Sequence, residues 1–387
     1  SLAAAATVPL AMALIFAVTG RPWPEGAVVT SYVIPPLVCA VLAWAPTRVL
    51  EQLSAAVQKA RRVGNYELRE RLGAGGMGEV WLGRHRLLAR PAAVKLIKPE
   101  MLGAKDQRAR ELVMRRFERE AQVTASLESQ HTVELYDFGV SAEGVLFYVM
   151  ELLRGVDLDT LVERFGPLPS ERVVYFLIQA CDSLEEAHAR GLIHRDIKPA
   201  NLFVSRKGSS VDLLKVLDFG LVKRWNRDDD DELVKSLELS APGTGQTVAG
   251  QIVGTPAFLA PEAALGEQAV DQRADIYALG CVGYWMLTGT HVFVEDSVIA
   301  IALAHITKAP EPPSKHVQGI APELEALLMS CLQKDPEKRP RSAEALRSAL
   351  EAIVLPNPWS RERAHAFWQQ HLPAQKLGSS ARAAPAC

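Results

Sequence analysis

His194-Arg195-Asp196-Ile197-Lys198-Pro199-Ala200-Asn201, followed by Asp218-Phe219-Gly220, is the stretch whose reading decides this chain. An aspartate, a lysine two places on and an asparagine five places on form a compact polar group. Apolar runs flank it, Gly191-Leu192-Ile193 before it and Leu213-Leu214-Lys215-Val216-Leu217 just ahead of the second aspartate. A polar loop held between apolar strands is what a reaction site needs, because positioned groups lose their effect when they drift.

Size and composition narrow the classes. A chain of 387 residues has room for one large domain with a remainder at each end. The net charge of −2 supplies no basic field for nucleic acid, so no nucleic-acid partner is expected. The five cysteines, Cys39, Cys181, Cys281, Cys331 and Cys387, are scattered without a C-x-x-C pair. That spacing favours neither a disulfide framework nor a zinc site.

Residues 2–18 and 27–46 are uncharged and apolar, separated by Gly20-Arg21-Pro22-Trp23-Pro24-Glu25-Gly26. Each approaches the ~20 residues that cross a bilayer as a helix. The expectation is a transmembrane hairpin over residues 1–46 with the lipid bilayer as a partner, then a juxtamembrane linker helix over residues 47–65. Arg48, Lys59, Arg61 and Arg62 follow the second run. By the positive-inside rule they place the rest of the chain in the cytoplasm of a multi-pass inner-membrane protein.

H-R-D-x-K-x-x-N with D-F-G downstream resembles the protein kinase family, specifically its eukaryotic-like bacterial serine/threonine branch. The resemblance covers residues 66–354. It implies an α+β, two-lobed protein-kinase fold. Residues 66–153 would form an N-lobe, mostly antiparallel sheet plus one main helix, and the hinge; residues 154–354 would form a mostly helical C-lobe. Residues 355–387 would be a partly disordered tail, in which Trp359, Ala364, Phe367 and Trp368 suggest a short helix packing back on the C-lobe.

The resemblance assigns ATP to the N-lobe. Leu72-Gly73-Ala74-Gly75-Gly76-Met77-Gly78-Glu79-Val80 would be a glycine-rich hairpin whose backbone N–H groups cradle phosphates. G-x-G-x-x-G alone is shared with dinucleotide-binding turns, but the return strand from Glu79 favours the hairpin. Lys95, in Ala92-Ala93-Val94-Lys95, would grip the α- and β-phosphates, with Ala93 and Val80 near the base. Its counter-charge would be Glu120, with Glu118 as the alternative. Residues 145–153 read as a buried strand carrying Met150 as gatekeeper, with the backbone of Glu151 to Leu153 holding the adenine.

The chemistry falls to the C-lobe. Ser170 reads as the cap of the helix that delivers the chain to the loop. Asp196 would accept or orient the substrate hydroxyl proton, and Lys198 would neutralise the moving phosphate. Asn201 and Asp218 would hold Mg²⁺, with Mn²⁺ as an alternative, because hard cations take oxygen ligands. Arg195 would receive a phosphate on Thr247, or on Thr244 or Ser240, autophosphorylated between two copies of the chain. Thr255 belongs to the substrate floor. Asp275 would hold the loop's backbone, and Arg339 would pair with Glu262. The expected activity is transfer of the ATP γ-phosphate to Ser/Thr hydroxyls of proteins. The alternative is a catalytically silent nucleotide-binding scaffold, whose mark would be loss of Lys95, Asp196 or Asp218.

Overall fold

The computed structural model describes residues 17–20, 62–75, 78–88, 90–97, 107–141, 144–219, 256–266 and 270–372. The chain divides into two units, Ser1–Arg62 and Val63–Cys387. In the first, only residues 17–20 and Arg62 are described, residues 17–19 as helix. The expected multi-pass membrane localisation is not upheld. Among the described residues no helix is long and apolar enough to cross a membrane. The apolar runs at 2–18 and 27–46 lie outside the described residues apart from 17 and 18. Hydropathy and the positive-inside rule had carried that expectation, and the first run's excess of alanine made it weakly apolar.

The second unit begins with an antiparallel sheet whose main strands are β1 (Tyr66–Gly75), β2 (Gly78–His85), β3 (Pro91–Ile97), β4 (Leu135–Val140) and β5 (Leu146–Glu151), in spatial order β1-β2-β3-β5-β4. Strand alternation divides the side chains between the two faces. Ala92, Val94, Phe147 and Val149 pack with Tyr66 and Leu68 on one face. Ala93, Ile97, Tyr148 and Met150 pack with Val80 and Phe117 on the other. Phe117 comes from α1 (Gln107–Ala125), where Phe117, Glu120, Ala121 and Thr124 are buried at helical spacing. Its ring meets Phe138 edge to face at 6.2 Å.

The helical part is built around the helix Arg273–Thr288. This part contains a small sheet of β6 (Gly155–Asp157), β7 (Leu202–Lys207) and β8 (Ser210–Val216), with α2 (Leu158–Phe165) and α3 (Ser170–Ala189) packed on it, and the short α4 (Pro261–Ala264) later in the chain. Helices α5 (Arg273–Thr288), α6 (Val298–Thr307), α7 (Pro322–Cys331), α8 (Ala343–Glu351) and α9 (Arg361–His371) follow. Every residue of α5 from Ala274 to Thr288 is buried, as befits a helix apolar on all sides. A Cβ at Gly280 would lie 2.7 Å from Cys331 Cβ, and one at Gly283 2.5 Å from a Leu328 methyl. Those two glycines therefore set how closely α7 approaches α5. Cys181, Cys281 and Cys331 are free and buried.

Two local expectations are refined. Helix α3 is capped by Pro169, with no side-chain cap bond; Ser170 is the first helical residue and its Oγ accepts instead from Ala321 N at 3.4 Å. Proline pre-sets the extended backbone of the capping position, so the serine moves one place inward. The tail forms α9 as expected, with Ala364 and Trp368 buried against the C-lobe.

Candidate active site

The loop from His194 to Asn201 is suspended by buried polar contacts on three sides. Asp275, on α5, accepts from the backbone N–H groups of His194 and Arg195, both at 2.8 Å, and from His188 Nε2 at 2.9 Å. Burial alone would raise the Asp275 carboxyl, but the His188 bond and the loop amides outweigh it and hold it below its ordinary value. Arg195 has φ 62, a left-handed backbone that a side-chain-bearing residue disfavours. Its amide bond to Asp275 secures that conformation. His194 is fully buried: Nδ1 accepts from Asp196 N at 3.2 Å, which makes Nε2 the donor to Leu217 O at 2.7 Å. The ring is a neutral spacer between the two aspartate segments, as expected for a packing residue rather than a base.

Inside this frame the polar groups converge. Asn201 Nδ2 donates to Asp196 O at 2.7 Å and to Asp196 Oδ2 at 3.1 Å. Lys198 Nζ stands 3.4 Å from the same Oδ2. Leu217 N donates to Asn201 O at 2.8 Å, which ties Asn201 to the residue before Asp218. The Asn201 amide nitrogen is engaged, and its side-chain oxygen and the Asp218 carboxylate are the oxygens that could hold a cation. Two oxygen side chains plus nucleotide phosphates suit Mg²⁺, which binds through few protein ligands. Among the described residues no group of three or more His, Cys, Asp or Glu could hold a metal by itself.

Asp218 departs from expectation. It has φ 53, and Lys95 Nζ lies 2.5 Å from its Oδ2. The ion pair of Lys95 is thus with Asp218, where the sequence pointed to Glu120. The left-handed turn brings the Asp218 carboxylate under β3, on the face to which Lys95 points. Glu120 is buried on α1 while Glu118 is exposed, so of the two glutamates Glu120 faces the sheet. Tyr148 Oη donates to the second oxygen, Asp218 Oδ1. Burial tends to raise the Asp218 carboxyl, but the Lys95 ammonium and these hydrogen bonds hold it below the ordinary range. The same environment pushes the Tyr148 phenol well up, through burial first and then the neighbouring carboxylate. Nothing in the sequence flagged Tyr148, which reads as one more apolar strand position.

Val80, Ala93 and Met150, which the resemblance sets beside the base, belong to one buried cluster with Leu72 and Leu153 at its edge. The Glu151 N–H donates to Glu134 O at 2.9 Å. The Glu151 carboxylate turns away to Lys215 Nζ at 2.6 Å. Gly73, Ala74, Gly75, Gly78 and Glu79 lie on β1 and β2; a Cβ at Gly78 would stand 1.9 Å from Leu96 O, so this glycine is also required by the passing strand. Gly76, Met77, Thr255, Ser240, Thr244 and Thr247 lie outside the described residues. Below the site, Arg339 forms a bidentate pair with Glu262, both contacts at 2.7 Å, and donates to the carbonyls of Arg273, Gln333 and Lys334.

The model of the protein kinase domain family matches residues 66–350. The chain belongs to the protein kinase family. It is 36% identical to the serine/threonine-protein kinase pkn3 of Myxococcus xanthus over 290 residues, covering 74% of this chain and 50% of that protein. It is 38% identical to the serine/threonine-protein kinase PknB of Mycolicibacterium smegmatis over 288 residues, covering 74% of this chain and 42% of that one. This chain thus spans half or less of the length of these relatives. Among solved structures it resembles a point mutant of the PknI kinase domain of Mycobacterium tuberculosis, with a TM-score of 0.55 and 26% identity, over 74% of this chain and 95% of the other.

Proposed function

We propose that this kinase-family chain is an ATP-dependent serine/threonine protein kinase, with residues 66–354 as its catalytic domain. The observation that carries the reading is the cluster in which Asn201 and Lys198 reach the same Asp196 oxygen while Lys95 pairs with Asp218. ATP, when bound, supplies the phosphoryl group, and Mg²⁺ or Mn²⁺ held by Asn201 and Asp218 offsets its charge. Asp196 orients a Ser/Thr hydroxyl and takes its proton, within a loop in which Asp275 holds the two preceding amides. Lys198, beside Asp196, presents an ammonium to the transferred group. Arg339 and Glu262 stiffen the substrate floor. The relatives' names support Ser/Thr specificity, and the silent-scaffold alternative is disfavoured because Lys95, Asp196 and Asp218 are all present.

Control belongs to the same reading. Arg195 receives a phosphate placed on Thr247, Thr244 or Ser240 by a second copy of the chain. The full chain, incubated with ATP and Mg²⁺, is expected to phosphorylate itself and a generic protein on Ser or Thr, and Asp196→Asn is expected to abolish both. Wild-type chain that binds ATP without transferring phosphate would favour the scaffold. Active protein carrying no phosphate on any of the three activation-segment residues would remove the switch.

A further inference from the structure

Tyr148 lies in a strand that reads as core, and its ring does sit among Val80, Ala93, Ile97, Phe117 and Met150. A phenylalanine or leucine would fill that space equally well. The hydroxyl is what apolar packing leaves without a reason, and it donates to Asp218 Oδ1. Tyr148 and Lys95 are register partners on β5 and β3, so they project from the same face of the sheet. Lys95 takes the other oxygen, Oδ2, at 2.5 Å. Each oxygen of one carboxylate is thereby held by a donor from a neighbouring strand. The Lys95 side chain is 4% exposed and that of Asp218 13%.

We propose that Tyr148 is a positioning residue for the metal–nucleotide site, acting through Asp218. The inference rests on the kinase reading above. A carboxylate has about four lone-pair directions. Lys95 and Tyr148 occupy one on each oxygen, which fixes the rotation of the group and leaves one direction on each oxygen for a divalent cation. A phenol suits this task better than a second cation would. It contributes a dipole and no net charge, so it orients Asp218 without neutralising the anion that a metal must find. Asp218 itself has a left-handed backbone, and the chain entering it is tied by Leu217 N on Asn201 O. Tyr148 completes the constraint from the side-chain end.

The test compares the full chain with its Tyr148→Phe variant, which keeps the ring and removes only the donor. A fluorescent ADP analogue is titrated in EDTA and then in graded MgCl₂, with melting temperature followed alongside. Metal-free affinity is expected to stay within about twofold of wild type, since the phenol does not address the nucleotide directly. The Mg²⁺ concentration that gives half of the metal-dependent gain is expected to rise about five- to tenfold, on the scale of outer contacts to metal ligands. An unchanged Mg²⁺ midpoint overturns the proposal. So does equal weakening with and without metal, which marks a packing defect. If wild type transfers no phosphate, the proposed function falls while the Mg²⁺ midpoints still decide the role of Tyr148. A wild-type chain that gains no nucleotide affinity from Mg²⁺ overturns both.

Discussion

Arg172 and Asp212 form the most enclosed ion pair among the described residues, with side chains 1% and 0% exposed. Arg172 Nε and Nη2 donate to the two carboxylate oxygens at 3.0 and 2.8 Å. Two indoles from the tail complete the shell: Trp359 Nε1 on Oδ2 at 2.9 Å and Trp368 Nε1 on Oδ1. The Phe367 ring covers the guanidinium at 3.9 Å. Both indoles lie beyond residue 350, where the kinase family match ends, so the tail closes a charge pair that the matched region leaves open. Trp368→Phe keeps an aromatic ring but removes the indole N–H, and with it one hydrogen bond to a charged group and part of the buried ring, a loss of at least about 1.5–3 kcal/mol. For a domain of this size, at roughly 2–4 °C per kcal/mol, the full chain is expected to melt ~5 °C lower. Arg172→Met strands a buried carboxylate with indole donors alone and is expected to cost about 3–5 kcal/mol, lowering the melt by roughly 10 °C. Adding Asp212→Asn to Arg172→Met removes the stranded charge, so the double variant is expected to be more stable than Arg172→Met alone. Thermal melts of the four chains in one buffer provide the assay. Melting points of Trp368→Phe and Arg172→Met both within about 1 °C of wild type would refute the reasoning, as would a double variant no more stable than Arg172→Met.

Other expectations are as direct. Asp196→Asn is expected to reduce phosphotransfer by at least ~10²-fold, the lower bound for a positioned acid–base group, while leaving metal-free nucleotide affinity unchanged in the fluorescent ADP titration. Arg339→Met leaves Glu262 buried without its bidentate partner and is expected to destabilise the chain by about 3–5 kcal/mol in a urea titration. Asp275 has a folded-state carboxyl pKa below its unfolded one. Its contribution is therefore fully present above the unfolded value of about 3.9 and is lost as pH falls through the lower folded value. Melting temperature is expected to fall with acid more steeply below about pH 4 in wild type than in Asp275→Asn; parallel curves would show that Asp275 is not coupled.

The site was legible in proportion to how local its parts are. Asp196, Lys198 and Asn201 occupy one loop, where the chemistry of phosphate and metal fixes both residue type and spacing, so sequence alone places them together. Asp275 and Arg339 are distant in sequence but carry their own short motifs, which let resemblance supply the contact. Tyr148 was illegible because its role depends on the register of β5 against β3 and on the left-handed turn at Asp218, neither of which alters the apolar pattern of the strand. Glu120 was expected to neutralise Lys95 because a buried lysine needs an anion and Arg116-Phe117-Glu118-Arg119-Glu120-Ala121 resembles the family's pattern there. The sequence could not say that Asp218 would be carried under the same strand. Nothing in the sequence singled out Arg172 or Asp212, which stand well apart in the chain. Their burial depends on a tail that reads only as a short amphipathic helix.

The buried charges follow one geometric rule. Among the described residues, the non-glycine positions with positive φ are Arg195, Asp212 and Asp218. Each is bound to a buried charge: the Arg195 amide to Asp275, Asp212 to Arg172, and Asp218 to Lys95. A left-handed backbone costs a side-chain-bearing residue about 1–2 kcal/mol, somewhat less for aspartate. A hydrogen bond to a charged group returns about 1.5–3 kcal/mol, enough to hold the conformation against relaxation. Apolar residues of similar volume would often stabilise such buried sites as well or better, so stability does not account for the charges. What apolar packing lacks is direction. Arg195 and Asp218 flank the reacting groups, and Asp212 sits on the strand that leads into Asp218. A chain that must keep three backbone turns strained around one loop needs contacts that fix angles as well as distances, and paired buried charges provide them.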